Sequence, residues 1–410
     1  MEIRPILSTL MRHKTAATLI VLEIALTCAI ICNALFMIGE RVVQVREVSG
    51  LVEDELVRVA LAPVGEDADA EAQTRSDLAT LRGLPGVKAA TVINQVPFVN
   101  SSWNSGVRLD PDQQIPTLNA TVYMAEEQFV ETLGLELVAG RDFTADEYQD
   151  FEQLRRSGTE GRVPGVIITR ALAAKLFPGE DALGRSIHVW GDDPIRVVGV
   201  VAHLVRPSMQ GGPDEREYSL AFPVRAAYNV GGNYVLRTDP ARRAEVLAAA
   251  TEALSRNGPR RVILEDDTRT FSELRDEFYR QPRAMAWLLG IVCLALLFIT
   301  ALGIVGLASF WVQQRTKQIG VRRALGATRG QVLRYFQTEN FLLATIGIVL
   351  GMLLAYGINQ VLMGRYELPR LPLYYLPIGA LVLWLLGQIA VFGPARRAAA
   401  VPPAIATRSV

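Results

Sequence analysis

The sequence has little of what builds a disulfide scaffold, a metal centre or a nucleic-acid binder. Its 410 residues include three cysteines and three histidines. Cys28, Cys32 and Cys293 all lie in apolar runs, and the long polar stretch between them has none. That stretch has no disulfide framework, and the thiols read as small apolar packing residues. The 42 basic and 42 acidic side chains cancel, which argues against nucleic acid as a main partner. There is no G-x-x-x-x-G-K-[ST], so no P-loop for ATP, and no H-E-x-x-H, C-x-x-C or G-x-S-x-G. His188 and His203 read as ordinary strand or surface positions. No catalytic residue, no metal and no cofactor are therefore expected in this chain.

What is abundant is apolar residues, half of the chain, with a mean hydropathy of +0.22. A helix needs roughly 20 apolar residues to cross a bilayer. Four runs qualify, at 15–38, 284–312, 341–363 and 371–392. The first reads as an uncleaved anchor rather than a signal peptide, because it is long and contains Glu23 and Asn33. The second exceeds what a bilayer needs, so it tilts or continues beyond the membrane.

Flanking cations orient the spans. Arg4, Arg12 and Lys14 precede the first, and Arg396, Arg397 and Arg408 follow the last. Between the second and third lies a basic stretch, 313–340, with Arg315, Lys317, Arg322, Arg323, Arg329 and Arg334 against one acid, Glu339. Under the positive-inside rule, the segment 1–14, the stretch 313–340 and the tail 393–410 are cytoplasmic. Residues 39–283 are then outside. Ile319, Arg322, Arg323 and Leu325 fall at helical spacing, so this stretch forms a helix at the membrane surface. Such a helix either rests on anionic membrane lipid or docks a partner.

The outside segment reads as mixed α/β. Strand patterns at 55–62 and 87–96 flank a helical one at 76–84, and strands at 233–238 and 260–265 flank a helix at 241–256. These βαβ-like ends, about 39–106 and 225–283, make one subdomain around an insert at about 107–224. Within the insert, 165–180 reads as strand, helix and a Pro-Gly stop.

Two intramembrane features stand out. Glu23 costs a few kcal/mol inside a span unless paired, protonated or near an interface. It either couples protons or ions, or hydrogen-bonds a neighbouring helix through Gln388, Asn359 or Thr300. With one such acid and no intramembrane base, the second reading carries more weight. Gly347 and Gly351 form a small-xxx-small pair suited to close helix packing, within the chain or across a dimer.

The stretch RTKQIGVRRALGATRGQVLRYFQTENFLLATIGIVLG resembles the signature of FtsX-like ABC transporter permeases of the MacB-like group. FPGEDALGRSI and RVVGVVAH resemble that group's periplasmic core, and PARRAAAVPPAIA its usual tail. The resemblance implies an α-helical membrane protein with four transmembrane helices and a large two-subdomain α/β periplasmic domain between the first two. It implies a bacterial inner-membrane location and a dimer with a second copy or a paralogous permease. It also implies a separate cytoplasmic ABC ATPase that binds ATP and Mg and docks on a coupling helix. That helix would use Arg315, Gln318, Ile319, Arg322, Arg323, Ala324 and Leu325. Gln318 stands where the family usually has Glu. A periplasmic adaptor and an outer-membrane channel are further implied partners. The expected function is mechanotransmission, the conversion of ATP binding and hydrolysis into periplasmic motion, for efflux or export. The alternative is an FtsX-like membrane-anchored sensor or scaffold for a periplasmic partner.

Overall fold

The computed structural model describes residues 14–65, 69–157, 163–209, 212, 215–257, 261–366 and 370–402. Arg4, Arg12, Arg408 and the middle of the turn between the last two spans lie outside them. Two compact units emerge, a helical one from 1–46 and 282–410 and an α/β one from 47–281.

The helical unit begins with α1 (Lys14–Val45). The α/β unit then runs through β1 (Leu56–Pro63), α2 (Ala70–Arg82), β2 (Val87–Ile93), β3 (Asn104–Val107), β4 (Leu118–Met124), α3 (Phe129–Leu133) and β5 (Leu137–Gly140). Next come β6 (Gln149–Asp150), α4 (Phe151–Ser157), β7 (Gly165–Thr169), α5 (Arg170–Leu176), β8 (Ser186–Ile187), β9 (Ile195–Val201), β10 (Ser219–Phe222) and β11 (Val224–Arg225). It closes with β12 (Asn233–Thr238), α6 (Arg243–Arg256), β13 (Arg261–Ile263), β14 (Arg269–Thr270) and α7 (Phe271–Phe278).

The first sheet has the order β13-β1-β12-β2, with β14 also on β1. All its pairs are antiparallel. Thus β1 and β2 run parallel with β12 between them, and β12 and β13 run parallel with β1 between them. Each β-α-β crossover skips one strand, giving two interlocked split βαβ units. Alternate residues share a sheet face. Val57, Val59 and Leu61 of β1 and Tyr234 and Leu236 of β12 accordingly join one core with Leu81 of α2 and Val246, Ala250 and Leu254 of α6. Each such side chain contributes roughly 1.5–3 kcal/mol on burial.

An ion pair lies beside this core. Asp77 of α2 is fully buried. It accepts from Tyr234 Oη at 2.8 Å, Asn257 Nδ2 at 3.0 Å and Arg261 Nη2 at 2.8 Å, and also from Arg261 Nη1. A buried carboxylate is tolerated only when its lone pairs are met in this way.

The insert carries the second sheet, order β3-β4-β10-β7-β9-β5, with β8 on β9. It is mixed, since β4–β10 and β7–β9 are parallel and the other pairs antiparallel. Thr169 ends β7 and caps α5, its hydroxyl accepting from Leu172 N.

In the helical unit, α8 (Arg280–Gln314), α9 (Thr316–Ala324), α10 (Arg329–Tyr366) and α11 (Tyr375–Ala399) follow. Among the described residues four helices, α1, α8, α10 and α11, are long and apolar enough to cross a membrane. α10 begins at Arg329, so the basic stretch consists largely of α9 and the start of α10. Ile24, Cys28 and Cys32 of α1 pack with Leu343, Ile348 and Ala355 of α10 and with Ala380 and Leu383 of α11. The three cysteines are buried and free. By contrast α8 turns much apolar surface outward, with Trp287, Leu294 and Phe298 at 76%, 68% and 65% exposure.

Candidate functional site

The basic stretch is built as a short ledge fastened at three points. Ile319 is the apolar fastener. Spaced to face inward from α9, it packs with Val332 and Phe336 of α10 and Ala395, Ala398 and Ala399 of α11.

The second fastener is ionic. Nη1 of Arg315 donates to both carboxylate oxygens of Glu339 at 3.0 Å. The two side chains are 8% and 2% exposed, and the guanidinium also lies over the Trp311 ring, 5.7 Å from its centroid. In this setting the attraction far exceeds that of a surface pair.

The third is a helix cap. Nη1 of Arg323 donates to the carbonyls of Ala399 at 3.0 Å and Val401 at 2.7 Å. Carbonyls at a helix C-terminus lack intrahelical partners, and a cation there also suits the helix dipole. At the far end of the ledge Thr328 and Gln331 start α10 with a reciprocal cap. Thr328 N donates to Gln331 Oε1 at 2.9 Å, and Gln331 N donates to Thr328 Oγ1 at 3.3 Å.

The sequence-predicted residues therefore fall into two sets. Arg315, Ile319 and Arg323 hold α9 in place. Gln318, Arg322, Ala324 and Leu325 are exposed, as is Val321. Val321 and Leu325, one turn apart, are 48% and 84% exposed and flank the charge of Arg322. Arg322 lies over the Tyr335 ring at 5.1 Å from its centroid. Val321 was missed in the sequence because it reads as one more apolar position in a helix. Arg323 and its backbone acceptors leave no trace in residue types.

Glu23 is placed differently from expectation. Thr300 bonds Thr27 at 2.9 Å, Asn359 accepts from Leu371 N at 2.9 Å, and Gln388 donates to the Gln337 carbonyl at 3.3 Å. Each of the three is hydrogen-bonded to another group. The carboxylate instead faces Gly303 of α8, where a Cβ would come within 2.5 Å of both its oxygens. Gly347 and Gly351 face α1 of the same chain. A Cβ at Gly347 would lie 2.9 Å from Ile24 Cβ and the Val21 carbonyl, and one at Gly351 would lie 2.5 Å from Cys28 Cβ.

In the α/β unit, His188 Nδ1 pairs with the Asp192 carbonyl at 2.9 Å and His203 Nδ1 with Glu217 at 3.0 Å. Among the described residues no three His, Cys, Asp or Glu side chains form a metal-binding group. Burial pushes the Glu126 carboxyl up to about 7, against the pull of Arg225 3.6 Å away. A cavity of about 410 Å³ in the insert is lined by Trp103, Phe151, Trp190 and Met124. Its Arg155 is paired with Glu152 at 2.9 Å, so no free charge converges there. A second cavity, about 390 Å³, opens between α9 and α10 beside Arg315, Arg322 and Arg334. Position, charge and exposure make the ledge the candidate site.

Comparison with known proteins agrees with this layout. The model of the MacB-like periplasmic core domain matches residues 15–254, and that of the FtsX-like permease C-terminal matches 290–403. The macrolide export ATP-binding/permease protein MacB of Chromobacterium violaceum is 27% identical over 298 residues, 70% of this chain and 43% of that one. The uncharacterized ABC transporter permease YknZ of Bacillus subtilis is 25% identical over 422 residues, 99% of this chain and 98% of that one. The chain thus spans under half the length of the first MacB relative and nearly all of YknZ. The crystal structure of the periplasmic region of MacB from Actinobacillus actinomycetemcomitans covers 57% of this chain and 97% of that one at 14% identity. Its TM-score is 0.32.

Proposed function

The chain belongs to the MacB-like family of FtsX-type permeases, and on that premise we propose that it is the membrane subunit of an ABC system driven by a separate cytoplasmic ATPase. ATP and Mg are bound by that partner. The ledge formed by Gln318, Val321, Arg322, Ala324 and Leu325 is its docking surface on the cytoplasmic side of the inner membrane.

The observation that carries this reading is the pairing of an exposed apolar-cationic face with a rigid back. A helix that merely rested on lipid would not need three fasteners. A helix that receives force does, because a push on Leu325 is useful only if α9 moves as a body. Arg315–Glu339 passes that push to α10 and Arg323 passes it to α11. α9 also follows α8 with Arg315 alone between them. The 35 residues of α8 make a helix about 50 Å long, well beyond the bilayer's apolar thickness. Motion at one end of α8 is thus carried to the other, which leads into the periplasmic domain.

The outward apolar surface of α8 suits a second permease copy or a paralogue in the membrane. The work performed is export of a substrate from the periplasmic side, with an adaptor and an outer-membrane channel as further partners. Co-purification with the co-expressed ATPase tests the docking. The double variant Val321→Glu with Leu325→Glu should retain about tenfold less ATPase while inserting normally. Undiminished retention contradicts the reading.

A further inference from the structure

The cavity between α9 and α10 holds more positive charge than the ledge needs. Its charged lining is Arg315, Arg322 and Arg334. Arg315 uses Nη1 on Glu339, yet its Nη2 is buried and has no hydrogen-bond partner. Among the described residues no acid lies within ion-pair distance of Arg322 or Arg334. Tyr335 fixes the Arg322 guanidinium by stacking, and the N-terminal turn of α10 brings Gln331 to the same cavity. One buried unpartnered donor on Arg315, the exposed guanidinium groups of Arg322 and Arg334 without an acid beside them, and the first turn of α10 together make an anion site. Arginine forks match phosphate oxygens in particular.

The remaining wall is apolar, formed by Ile319, Val332 and Phe336. The cavity also lies at membrane-surface level, since the apolar runs of α8 and α10 end at 312 and resume at 341, on either side of the residues that line it. A free anion has no use for such a wall, whereas a glycerol backbone and the start of an acyl chain do. We infer that this cavity is a binding site for the phosphate headgroup of an anionic phospholipid from the leaflet on the α9 side. The lipid would complete the coordination of Arg315 and brace the back of the ledge from below. The site shares Arg322 with the proposed docking face, but every group in it belongs to this chain, so lipid binding is read without the ATPase and fails or holds separately from docking.

The test uses the full chain alone, purified in detergent and titrated with phosphatidylglycerol or phosphatidylcholine under native mass spectrometry. Phosphatidylglycerol should be retained about tenfold better. The double variant Arg322→Gln with Arg334→Gln should lose that preference. Arg329→Gln, in the same basic stretch but outside the cavity lining, should keep it. Equal loss in Arg329→Gln would reduce the effect to general surface charge and overturn the site. Displacement of phosphatidylglycerol by millimolar inorganic phosphate would make free phosphate the ligand and overturn the lipid assignment. Absence of any preference in the unaltered chain would overturn both.

Discussion

Arg315 and Glu339 stand 24 residues apart and meet at 3.0 Å, both buried, where the start of α9 crosses the body of α10. Glu339 is the acid that the basic stretch sets against six cations, and it is spent inside rather than at the surface. Its role is to bury the charge of Arg315 at tolerable cost.

Removing one partner of such a pair leaves the other uncompensated, at about 3–5 kcal/mol. Glu339→Ala should therefore release α9, seen as faster hydrogen exchange across residues 316–324. The swapped pair, Arg315→Glu with Glu339→Arg, should recover part of the protection. Unchanged exchange in Glu339→Ala would show that Ile319 and Arg323 hold the ledge without the ion pair.

Arg322 and Arg323 are neighbours in sequence with different duties. Arg323→Ala should expose the end of α11, read as faster exchange or proteolysis near residues 399–402. Arg322→Ala should leave both unaltered and weaken ATPase retention. Replacing the two together would mix a docking defect with a structural one, so the single variants are the informative ones.

In the α/β unit, Glu126 titrates near 7 in the folded state against 4.5 for an ordinary glutamate. The folded state therefore binds the proton more tightly than the unfolded one. Stability is full below about pH 4.5 and declines as pH rises toward 7, by up to roughly 1.4 kcal/mol per pH unit. Thermal unfolding of the intact chain should show this slope between pH 5 and 7. Glu126→Gln should flatten it; a slope that persists would point to other groups.

The legibility of the chain followed the periodicity of its parts. β12 and α6 announce themselves by alternation and by a helical stripe, and both lie where the sequence indicates, at 233–238 and within 241–256. β4 and β10 of the insert went unread. Five successive residues of β4 and all four of β10 are buried, so neither alternates. At the site, composition marked the basic stretch and helical spacing marked α9. The division of its residues into fasteners and face depends on α10 and α11, and the end of α11 that Arg323 meets lies 76 residues away in sequence. For Glu23 the sequence supplied polar candidates, but Thr300, Asn359 and Gln388 bond a hydroxyl and backbone groups instead.

Gly347 and Gly351 allow α1 and α10 to approach closely. Gly347→Leu or Gly351→Leu should lower the thermal stability of the detergent-purified chain, with overpacking costing about 1–3 kcal/mol. Gly357→Leu on the same helix, where a Cβ meets nothing within 4 Å, should have little effect. Equal sensitivity at all three positions would mean that helix propensity, not packing against α1, dominates.

The docking claim is tested most directly by site-specific cross-linking to the co-expressed ATPase. The native cysteines are buried among the spans, so introduced ones report their own surroundings. Leu325→Cys and Val321→Cys should each form an adduct with the ATPase, and Ile319→Cys should form none. Adducts of equal yield at 319 and 325, or none at 325, would contradict the account.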